Sequence, residues 1–551
     1  MSRSVKRTIR AQYGVNGPID GAFDPALSAS CHNGTFVGQR AGATIVFKGV
    51  PFAKPPVGRL RWKKPAAVEK DTGVFSAYYN GCTPIQTEWP TERASYYPQS
   101  EDCLYLNIWT SPGFAGERRA VMVFFHGGSY GWGGTADPLY DGRRFVEAHP
   151  EIVLVTAAYR VGLMGFVDFS MVPGGEEYPD APNLGLLDQL EALRWVSDNI
   201  DAFGGDPDNV TIFGESAGAG SVSLLPLIPE AAGLFSRVIA ESGSCALTYS
   251  RDECQPFTER LLRLTNAKSM EDLLRLDQAE LEKVNKTLNQ YNNFPQRDGK
   301  LVPENPYIPY ENGEALGVDM LIGTNANETN YWIGETGGLF VYRMSIHIKY
   351  ENDLRKLRAP DADRVHRFIR SLKGHSMWRL TEFYNELMFR LPALRQAEGH
   401  ADHGNRTYVY YWKVHSAIPF MRACHAVELA YVFGNTEDTI YTGKPASRAL
   451  SRQIQDMWAA FALTGDPSIP GHKWPRYTRE KRLTMIVDRQ SHVESDVLRE
   501  QRETLEPLTE YFINASYATL DLNVPFLRRL IRRFALVLLA LLGLILFLVF
   551  K

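Results

Sequence analysis

NVTIFGESAGAG, residues 209–220, changes at its midpoint from β-branched and apolar residues to small ones. The first half predicts a buried strand, and the second half predicts a sharp turn that leads into a helix. Gly214-Glu215-Ser216-Ala217-Gly218 fits the G-x-S-x-G nucleophile elbow, whose glycines allow the strained backbone that lifts the serine hydroxyl clear of a sheet. Ser216 is therefore expected at a helix N-terminus, where unpaired N–H groups and the helix dipole favour a developing negative charge.

Apolar runs on both sides of this turn predict a central sheet. Each run is short and uninterrupted, as is typical of strands buried on both faces. The predicted strands cover residues 121–125, 152–158, 209–214, 237–240, 320–323 and 407–414. Residues 186–200 have helical apolar spacing and lie between two of these strands, so strand and helix alternate. The predicted fold class is α/β, with a mostly parallel, twisted central sheet flanked by helices.

Two longer segments are predicted to be helical insertions in this pattern. Residues 253–286 have helical apolar spacing with charged outer faces, and residues 350–400 are also predicted to be helical. We expect these insertions to cap the sheet and to form the walls of a pocket. Residues 48–62 contain several prolines and predict an extended surface segment, because proline is incompatible with a helix interior.

The composition is that of a large folded protein. The chain has 551 residues, a hydrophobic content of 44% and a net charge of −3. No Pro/Ser/Gly linker divides it, so residues 1–525 are predicted to form one large domain with insertions. No basic half or stripe occurs outside the C-terminal region, so no nucleic-acid partner is expected. The six cysteines show no C-x-x-C spacing, and we expect no metal and no other cofactor.

The C-terminal residues differ in character from the rest of the chain. Residues 534–550 read FALVLLALLGLILFLVF, seventeen apolar or small residues without a charge. As a helix they reach roughly 25 Å, at the short end of what crosses a bilayer. Fourteen of them are Leu, Ile, Phe or Val, which together favour insertion by about 5 to 6 kcal/mol. We expect a C-terminal transmembrane helix at 534–550 after a basic juxtamembrane segment at 526–533; a buried core helix is the alternative, although such a helix normally has a polar face.

The charges around this segment predict its orientation. Four arginines precede it and one lysine follows it: Arg528, Arg529, Arg532, Arg533 and Lys551. By the positive-inside rule, the body of the protein is expected on the cytoplasmic side. Residues 1–10 are basic but no apolar segment follows them, so no secretory signal peptide is predicted. The expected localisation is a single-pass, tail-anchored membrane protein with a cytoplasmic body.

Candidate partners for the serine follow it in the chain order nucleophile, acid, histidine, which is the order that the α/β-hydrolase fold demands of a serine hydrolase. Glu328 lies in a polar loop after the predicted strand 320–323. His425 follows the predicted strand 407–414. Both residues are thus expected near strand ends. The chain contains 63 acidic residues and twelve histidines, so chain order by itself does not single out either residue.

The chain resembles the type-B carboxylesterases, the carboxylesterase and cholinesterase family of α/β-hydrolases. Eight ordered segments between about residue 30 and residue 490 carry the resemblance, of which the sixteen residues around Ser216 are the most specific. The segments are GVPFA (49–53) with PPVG (55–58), EDCLYLNIW (101–109), YRVG (159–162), NLGLLDQ (183–189), FGGDPDNVTIFGESAG (203–218), GTN (323–325), residues 425–434, and FALTGDP (461–467). The resemblance implies an α/β-hydrolase fold and hydrolysis of carboxylic esters.

The resemblance also implies roles for individual residues. The family's nucleophile falls on Ser216, its acid on Glu328 and its general base on His425. The oxyanion hole falls on three backbone N–H groups, those of Gly128, Ser129 and Ala217. Two further positions match residues that orient the family's acid and histidine, namely Glu215 and Ser242.

These roles imply a two-step mechanism. His425 takes the proton of Ser216 as the hydroxyl attacks the ester carbonyl, Glu328 stabilises the imidazolium, and the N–H groups hold the oxyanion. Water then repeats the steps and releases the acid. Each oxyanion donor is worth about 3 kcal/mol of barrier. The expected substrate is a small or apolar carboxylic ester, and membrane contact through the C-terminal helix is the other expected interaction.

The family's disulfides have possible counterparts in this chain. Its first disulfide pairs positions that match Cys82 and Cys103, and Cys245 with Cys254 could close a second small loop. A cytoplasmic body would keep these thiols reduced, so unpaired buried cysteines are the alternative.

Two other functional hypotheses fit parts of the sequence. A non-enzymatic adhesion protein of the same fold would lack the nucleophile, so Ser216 argues against it. Amidase or lipase chemistry would use the same three side chains, and the sequence does not separate these activities from esterase activity.

Overall fold

The computed structural model describes residues 13–89, 93–288, 293–335, 338–511 and 532–543. Within these residues the strands form two sheets. Eleven strands form the central sheet in the order β14-β13-β12-β11-β10-β9-β7-β8-β6-β4-β3, and β1, β2 and β5 form a small second sheet. The strands are β1 Ser28–Cys31, β2 Asn33–Val37, β3 Gln39–Ala41, β4 Thr44–Pro51, β5 Asp71–Ser76, β6 Tyr105–Thr110, β7 Arg119–Phe125, β8 Ile152–Ala157, β9 Gly205–Glu215, β10 Arg237–Glu241, β11 Asp319–Asn325, β12 Thr407–Trp412, β13 Leu483–Val487 and β14 His492–Ser495.

The middle of the central sheet is parallel and its margins are antiparallel. The parallel pairs run without a break from β8 through β7, β9, β10, β11 and β12 to β13. Strands β3, β4 and β6 on one side and β14 on the other pair in antiparallel fashion. The prediction of a mostly parallel sheet is therefore confirmed for the strands that were predicted from apolar runs. The complete sheet is mixed, because its marginal strands are antiparallel.

Helices cover both faces of this sheet. They are α1 Arg143–Ala148, α2 Gly162–Gly165, α3 Leu184–Asn199, α4 Ala217–Leu224, α5 Arg251–Thr265, α6 Met270–Leu274, α7 Gln278–Leu288, α8 Ile308–Asn312, α9 Tyr331–Glu335, α10 Leu339–Leu354, α11 Ala359–Ser371, α12 Ser376–Asn385, α13 Leu391–Asp402, α14 Leu429–Val432, α15 Arg448–Thr464 and α16 Arg499–Leu505. Alternate residues of β7 show the layering: Val121 and Val123 belong to the core that includes α3, whereas Met122 and Phe124 belong to the core that includes α15. This two-sided burial explains why the strand sequence is continuously apolar.

The predicted insertions are helical, although each consists of several short helices. Residues 253–286 fall within α5, α6 and α7, and residues 350–400 fall within α10 to α13. Between α12 and α13 the chain forms a π-helical turn at Glu386–Arg390. Such turns occur frequently at functional sites. Helices α10 to α13 build a core of their own with α16, which makes this insertion a separately packed cap.

The prediction of a surface segment at residues 48–62 is wrong for most of its length. Strand β4 ends at Pro51, and Val50, Phe52 and Trp62 are buried. The backbone is extended as expected, but the prolines lie after the strand or at its end, so the preceding residues still pair in the sheet. Arg61 of this segment forms a buried ion pair with Glu101 at 2.6 Å.

Only part of the predicted C-terminal transmembrane helix lies within the described residues. Residues 532–543 form a helix whose residues are all exposed, and residues 544–550 lie outside the described residues. Among the described residues, no helix combines the length and the apolar character needed to cross a membrane. The expected transmembrane helix at 534–550 is thus not found in the described part of the chain.

Candidate active site

Four neighbouring parallel strands bring the predicted site residues to one edge of the sheet. Ser216 directly follows β9, Ser242 follows β10, Glu328 follows β11 by three residues, and His425 lies in the segment after β12. Strands β9, β10, β11 and β12 are consecutive in the sheet and all parallel. Their carboxyl ends therefore meet at the same edge, which is where open α/β sheets place their ligands.

The backbone at Ser216 has the strained geometry of a nucleophile elbow. Its φ is 58° and its ψ is −117°, and helix α4 begins at the next residue. A side chain at Gly218 would lie 1.9 Å from the carbonyl oxygen of Phe125, and one at Gly214 would lie 2.5 Å from the carbonyl carbon of Gly218. Only glycine fits at these two positions, because strand and helix approach backbone to backbone.

The loop after β7 lies against the elbow. A side chain at Gly127 would lie 3.1 Å from Cβ of Ser216. In the same loop Gly128 has a φ of 99° and Ser129 a φ of 51°. Within the described residues the backbone N–H groups of Gly128, Ser129 and Ala217 donate no hydrogen bond. Three unpaired N–H groups next to a serine hydroxyl are the donors that an oxyanion needs.

His425 and Glu328 are in direct hydrogen-bond contact. The distance between Nδ1 of His425 and Oε2 of Glu328 is 2.7 Å, and both side chains are buried. The other carboxylate oxygen, Oε1, accepts the backbone N–H of Asn325 at 2.6 Å. With its proton on Nδ1, the imidazole has its lone pair on Nε2, the atom that a general base needs.

Nε2 of His425 faces Glu215 in this structure. Its distance to Oε1 of Glu215 is 3.2 Å, and within the described residues the Ser216 hydroxyl forms no hydrogen bond. A carboxylate thus lies opposite each ring nitrogen of His425, Glu328 at Nδ1 and Glu215 at Nε2. Catalytic hydrogen bonds often tighten only with substrate, so this arrangement is compatible with proton transfer between Ser216 and His425.

Glu428 is a part of the site that sequence reasoning missed. It is fully buried, and its two oxygens accept hydrogen bonds from Ser242 Oγ at 3.1 Å and from Asn325 Nδ2 at 2.5 Å. Asn325 thereby links Glu428 to Glu328, because its backbone N–H donates to Oε1 of Glu328. Ser242 is thus connected to Glu328 indirectly, through Glu428 and Asn325. The spacing of Glu428, three residues after His425, was the only signal in the sequence that could have indicated this contact.

Burial changes the protonation of the carboxyl groups behind the site. Desolvation, together with the charge of Glu328, raises the pKa of Glu428 to about 7. Desolvation also raises the pKa of Glu241 well above its usual range, and Oε1 of Glu241 accepts the indole N–H of Trp458 at 2.8 Å. Burial therefore favours the protonated, neutral form of both carboxyl groups.

We expect Glu428→Gln to flatten the pH dependence of stability. An unfolded glutamate releases its proton near pH 4.3, whereas folded Glu428 retains it until about pH 7. The bound proton stabilises the fold fully below the unfolded pKa, and this contribution is lost as the pH rises through about 7. The free energy of unfolding of the variant, relative to wild type, should therefore rise by about 3 kcal/mol between pH 4 and pH 8. Urea unfolding at several pH values measures this difference, and a constant difference would contradict the assignment.

Aromatic side chains from α9 and from the cap lie beside the histidine. The ring centroid of Trp332 lies 5.7 Å from that of His425 and is nearly parallel to it, and the centroid of Phe389 lies at 4.9 Å. Phe389 belongs to the π-helical turn. The sequence predicted that the insertion at residues 350–400, which contains Phe389, forms a wall of a pocket. It did not identify Phe389 or Trp332 as neighbours of His425.

The structure shows the alternative of unpaired cysteines and not the possible disulfides. All six cysteines are free thiols, so neither Cys82 with Cys103 nor Cys245 with Cys254 is paired. Cys245 and Cys254 lie in buried surroundings that raise their thiol pKa, which disfavours the reactive thiolate. In the described residues, no group of three or more His, Cys, Asp or Glu side chains is arranged to hold a metal ion.

Comparison with known proteins identifies the relatives of this chain. The profile of the carboxylesterase family matches residues 25–505. The chain belongs to the carboxylesterase family. The resemblance read from the sequence is therefore confirmed, and so is the prediction that the protein is a carboxylic ester hydrolase.

This esterase is similar to enzymes from bacteria and animals. It is 36% identical over 486 residues to the para-nitrobenzyl esterase of Bacillus subtilis (strain 168). This match covers 84% of this chain and 94% of the Bacillus protein. It is 31% identical over 495 residues to a cholinesterase of Mus musculus, with coverages of 81% and 80%. A crystal structure of a Geobacillus stearothermophilus carboxylesterase superposes with a TM-score of 0.76 at 32% identity, covering 87% of this chain and 99% of that one.

Proposed function

We propose that this esterase works through a Ser216-His425-Glu328 triad and an acyl-enzyme intermediate. The observation that carries the proposal is the 2.7 Å contact between His425 Nδ1 and Glu328 Oε2, formed at the sheet edge where the Ser216 elbow lies. The proposed oxyanion hole consists of the N–H groups of Gly128, Ser129 and Ala217, which are unpaired in the described structure.

Each group has a defined task in the proposed reaction. His425 Nε2 takes the proton as Ser216 Oγ attacks the ester carbonyl, and Glu328 keeps the imidazole in the required tautomer. The imidazolium is stabilised by Glu328 on one side and by Glu215 on the other. The three N–H groups hold the negative oxygen, the alcohol leaves with the proton of His425, and water then releases the acid by the same steps.

Covalent labelling tests the nucleophile directly. A fluorophosphonate reacts with an activated serine and leaves a phosphonyl group on its oxygen. We expect the label on a single peptide, the one that contains Ser216. A label on another serine, or an active enzyme that takes up no label, would overturn the proposal.

Small or apolar esters are the proposed substrates. Trp332 and Phe389 place aromatic surface beside His425, where the ester must bind to react. The similarity to a para-nitrobenzyl esterase supports an aromatic ester as the first assay substrate. A series of para-nitrophenyl esters of increasing acyl length would measure the preference through kcat/KM.

We further propose that residues 534–550 anchor the protein in a membrane with its body on the cytoplasmic side. The support comes from the apolar sequence of this segment and from the four arginines before it. In the described helix 532–543, the large apolar side chains are all more than half exposed, for example Phe534 at 64% and Leu539 at 66%. Lipid would cover this surface.

Membrane extraction tests the anchor. We expect the full chain to stay with membranes in alkaline carbonate and its body to be cleaved by protease added on the cytoplasmic side. A chain ending at residue 525 should remain in the supernatant and keep its activity on a soluble ester. Release of the full chain by carbonate would contradict the anchor, and a body protected from cytoplasmic protease would contradict the orientation.

A further inference from the structure

Gln86 forms an unusual set of contacts with the loop that follows β7. It lies between β5 and β6 and is buried, with 2% of its surface exposed. Its amide oxygen accepts the N–H of Gly133 at 2.8 Å, and its amide nitrogen donates to the carbonyl of Gly133 at 2.6 Å. The side chain thus pairs with both backbone groups of one residue, as a neighbouring strand would.

Gly133 closes the loop that begins at Gly127. Its φ is 110°, and a side chain there would lie 2.4 Å from Nδ1 of His126 and 2.8 Å from the carbonyl oxygen of Gly127. The two ends of the loop are therefore in contact. Between them, the N–H groups of Gly131 and Trp132 both donate to the carbonyl of Gly128, at 2.9 and 3.1 Å. The loop is compact, and the hydrogen bonds of its closing residue come from Gln86.

Gln86 is itself held in place. Its backbone N–H donates to Oε1 of Gln99 at 2.9 Å, and its amide nitrogen also donates to the carbonyl of Pro84 at 3.2 Å. Close by, the rings of Trp89 and Trp132 stack with centroids 4.8 Å apart and an interplanar angle of 12°. The segment before β6 therefore contacts the loop at two successive residues: Trp89 stacks on Trp132, and Gln86 hydrogen-bonds to Gly133.

We propose that Gln86 is a positioning residue for the oxyanion hole. By pairing with Gly133 it fixes the end of the loop and so keeps the N–H groups of Gly128 and Ser129 directed at the reacting carbonyl. The loop needs this restraint because Ser129 and Tyr130 both have positive φ, at 51° and 54°, a conformation that non-glycine residues rarely adopt. The inference rests on the proposed function, since it takes these N–H groups as the oxyanion donors.

A positioning role predicts a specific kinetic defect. The oxyanion hole stabilises the transition state more than the bound ester, so misplaced donors should lower kcat and leave KM nearly unchanged. Removing one donor outright costs about 100- to 1000-fold in kcat, and displacing donors should cost less. A side chain that served only to fill the core would lower the thermal stability without this selective loss.

The first test replaces the amide by an apolar side chain of similar size. We expect Gln86→Met to lower kcat by about 10- to 100-fold with a KM change below about threefold. The affinity for a trifluoromethyl ketone, which forms a tetrahedral adduct with the serine, should fall by a similar factor. The matched control is Gln396→Met: Gln396 is equally buried and accepts the N–H of Cys245 at 2.8 Å, away from the loop.

The second test uses the chemistry of a carboxyl group at the same position. In Gln86→Glu, a protonated carboxyl can both donate to and accept from Gly133, whereas a carboxylate can only accept. The kcat of this variant divided by that of wild type should therefore rise as the pH falls. Taking the ratio at each pH removes the pH dependence that both proteins share.

The outcomes separate this inference from the proposed function. If the wild type does not label at Ser216 with a fluorophosphonate, the proposed function is wrong. If it does label, the positioning role is overturned by a Gln86→Met enzyme with kcat within twofold of wild type, or by an equal kcat loss in Gln396→Met. Should Gln86→Met fail to fold, the Gln86→Glu ratio decides: a ratio that rises at low pH supports the role, and a ratio independent of pH overturns it.

Discussion

Ser216→Ala is expected to lower kcat for a para-nitrophenyl ester by about a millionfold, because the attacking oxygen is lost while the rest of the site stays in place. Alanine keeps the Cβ, and within the described residues the Ser216 hydroxyl forms no hydrogen bond whose loss would disturb the fold. The free energy of unfolding should therefore change by less than about 1 kcal/mol. The strained φ of 58° at this position also persists with alanine.

The measurement combines steady-state kinetics, fluorophosphonate labelling and thermal unfolding. Ser223→Ala is the matched control, since Ser223 is a buried serine of the same helix, α4. It should keep wild-type activity and labelling. A Ser216→Ala enzyme with more than about a hundredth of wild-type kcat would show that another residue is the nucleophile, since loss of the nucleophile costs about a millionfold.

Glu328→Gln is expected to lower kcat by about 1,000- to 10,000-fold. The carboxylate now accepts two hydrogen bonds, one from His425 Nδ1 and one from the backbone N–H of Asn325. An amide has one oxygen and one NH₂ group, so it cannot accept both. If its NH₂ faces His425, the imidazole must carry its proton on Nε2, which is the wrong tautomer for a general base.

Thermal unfolding and KM separate this catalytic effect from a structural one. The variant should still unfold cooperatively, and it should still bind the substrate with a KM near that of wild type. Glu191→Gln is a suitable control, since Glu191 is a buried glutamate of α3 outside the site. Wild-type kcat in Glu328→Gln would indicate that a different carboxylate supports His425.

The elbow could be predicted from the sequence because its requirements are local. Gly214 and Gly218 are needed where strand and helix backbones touch, and the apolar run before them is needed for a strand buried on both faces. Chain order and strand ends were consistent with Glu328 and His425 but did not single them out, and the family resemblance selected them. The structure places these two in contact, as expected.

The partners of the site residues could not be predicted in the same way. Gln86 meets Gly133 across 47 residues, and Ser242 meets Glu428 across 186 residues. The resemblance selected Ser242 but did not indicate its partner Glu428, and nothing in the local pattern around Gln86 distinguishes it from an ordinary polar side chain. The same is true of Arg160 and Asp188, which lie in two of the segments that carry the resemblance and form a buried ion pair at 2.6 Å.

The sequence by itself thus determined the nucleophile elbow, the parallel strands and the family. Each is encoded in contiguous residues, because the elbow requires glycines at fixed positions and a strand buried on both faces requires a continuous apolar run. Tertiary structure alone decided that Glu215 contacts Nε2 of His425 rather than Nδ1, that Asn325 joins Glu428 to Glu328, and that the cysteines remain unpaired. These outcomes depend on which side chains desolvate one another when distant segments pack. Such contacts leave no signature in the order of the residues, because their energy arises only once water has been excluded between them.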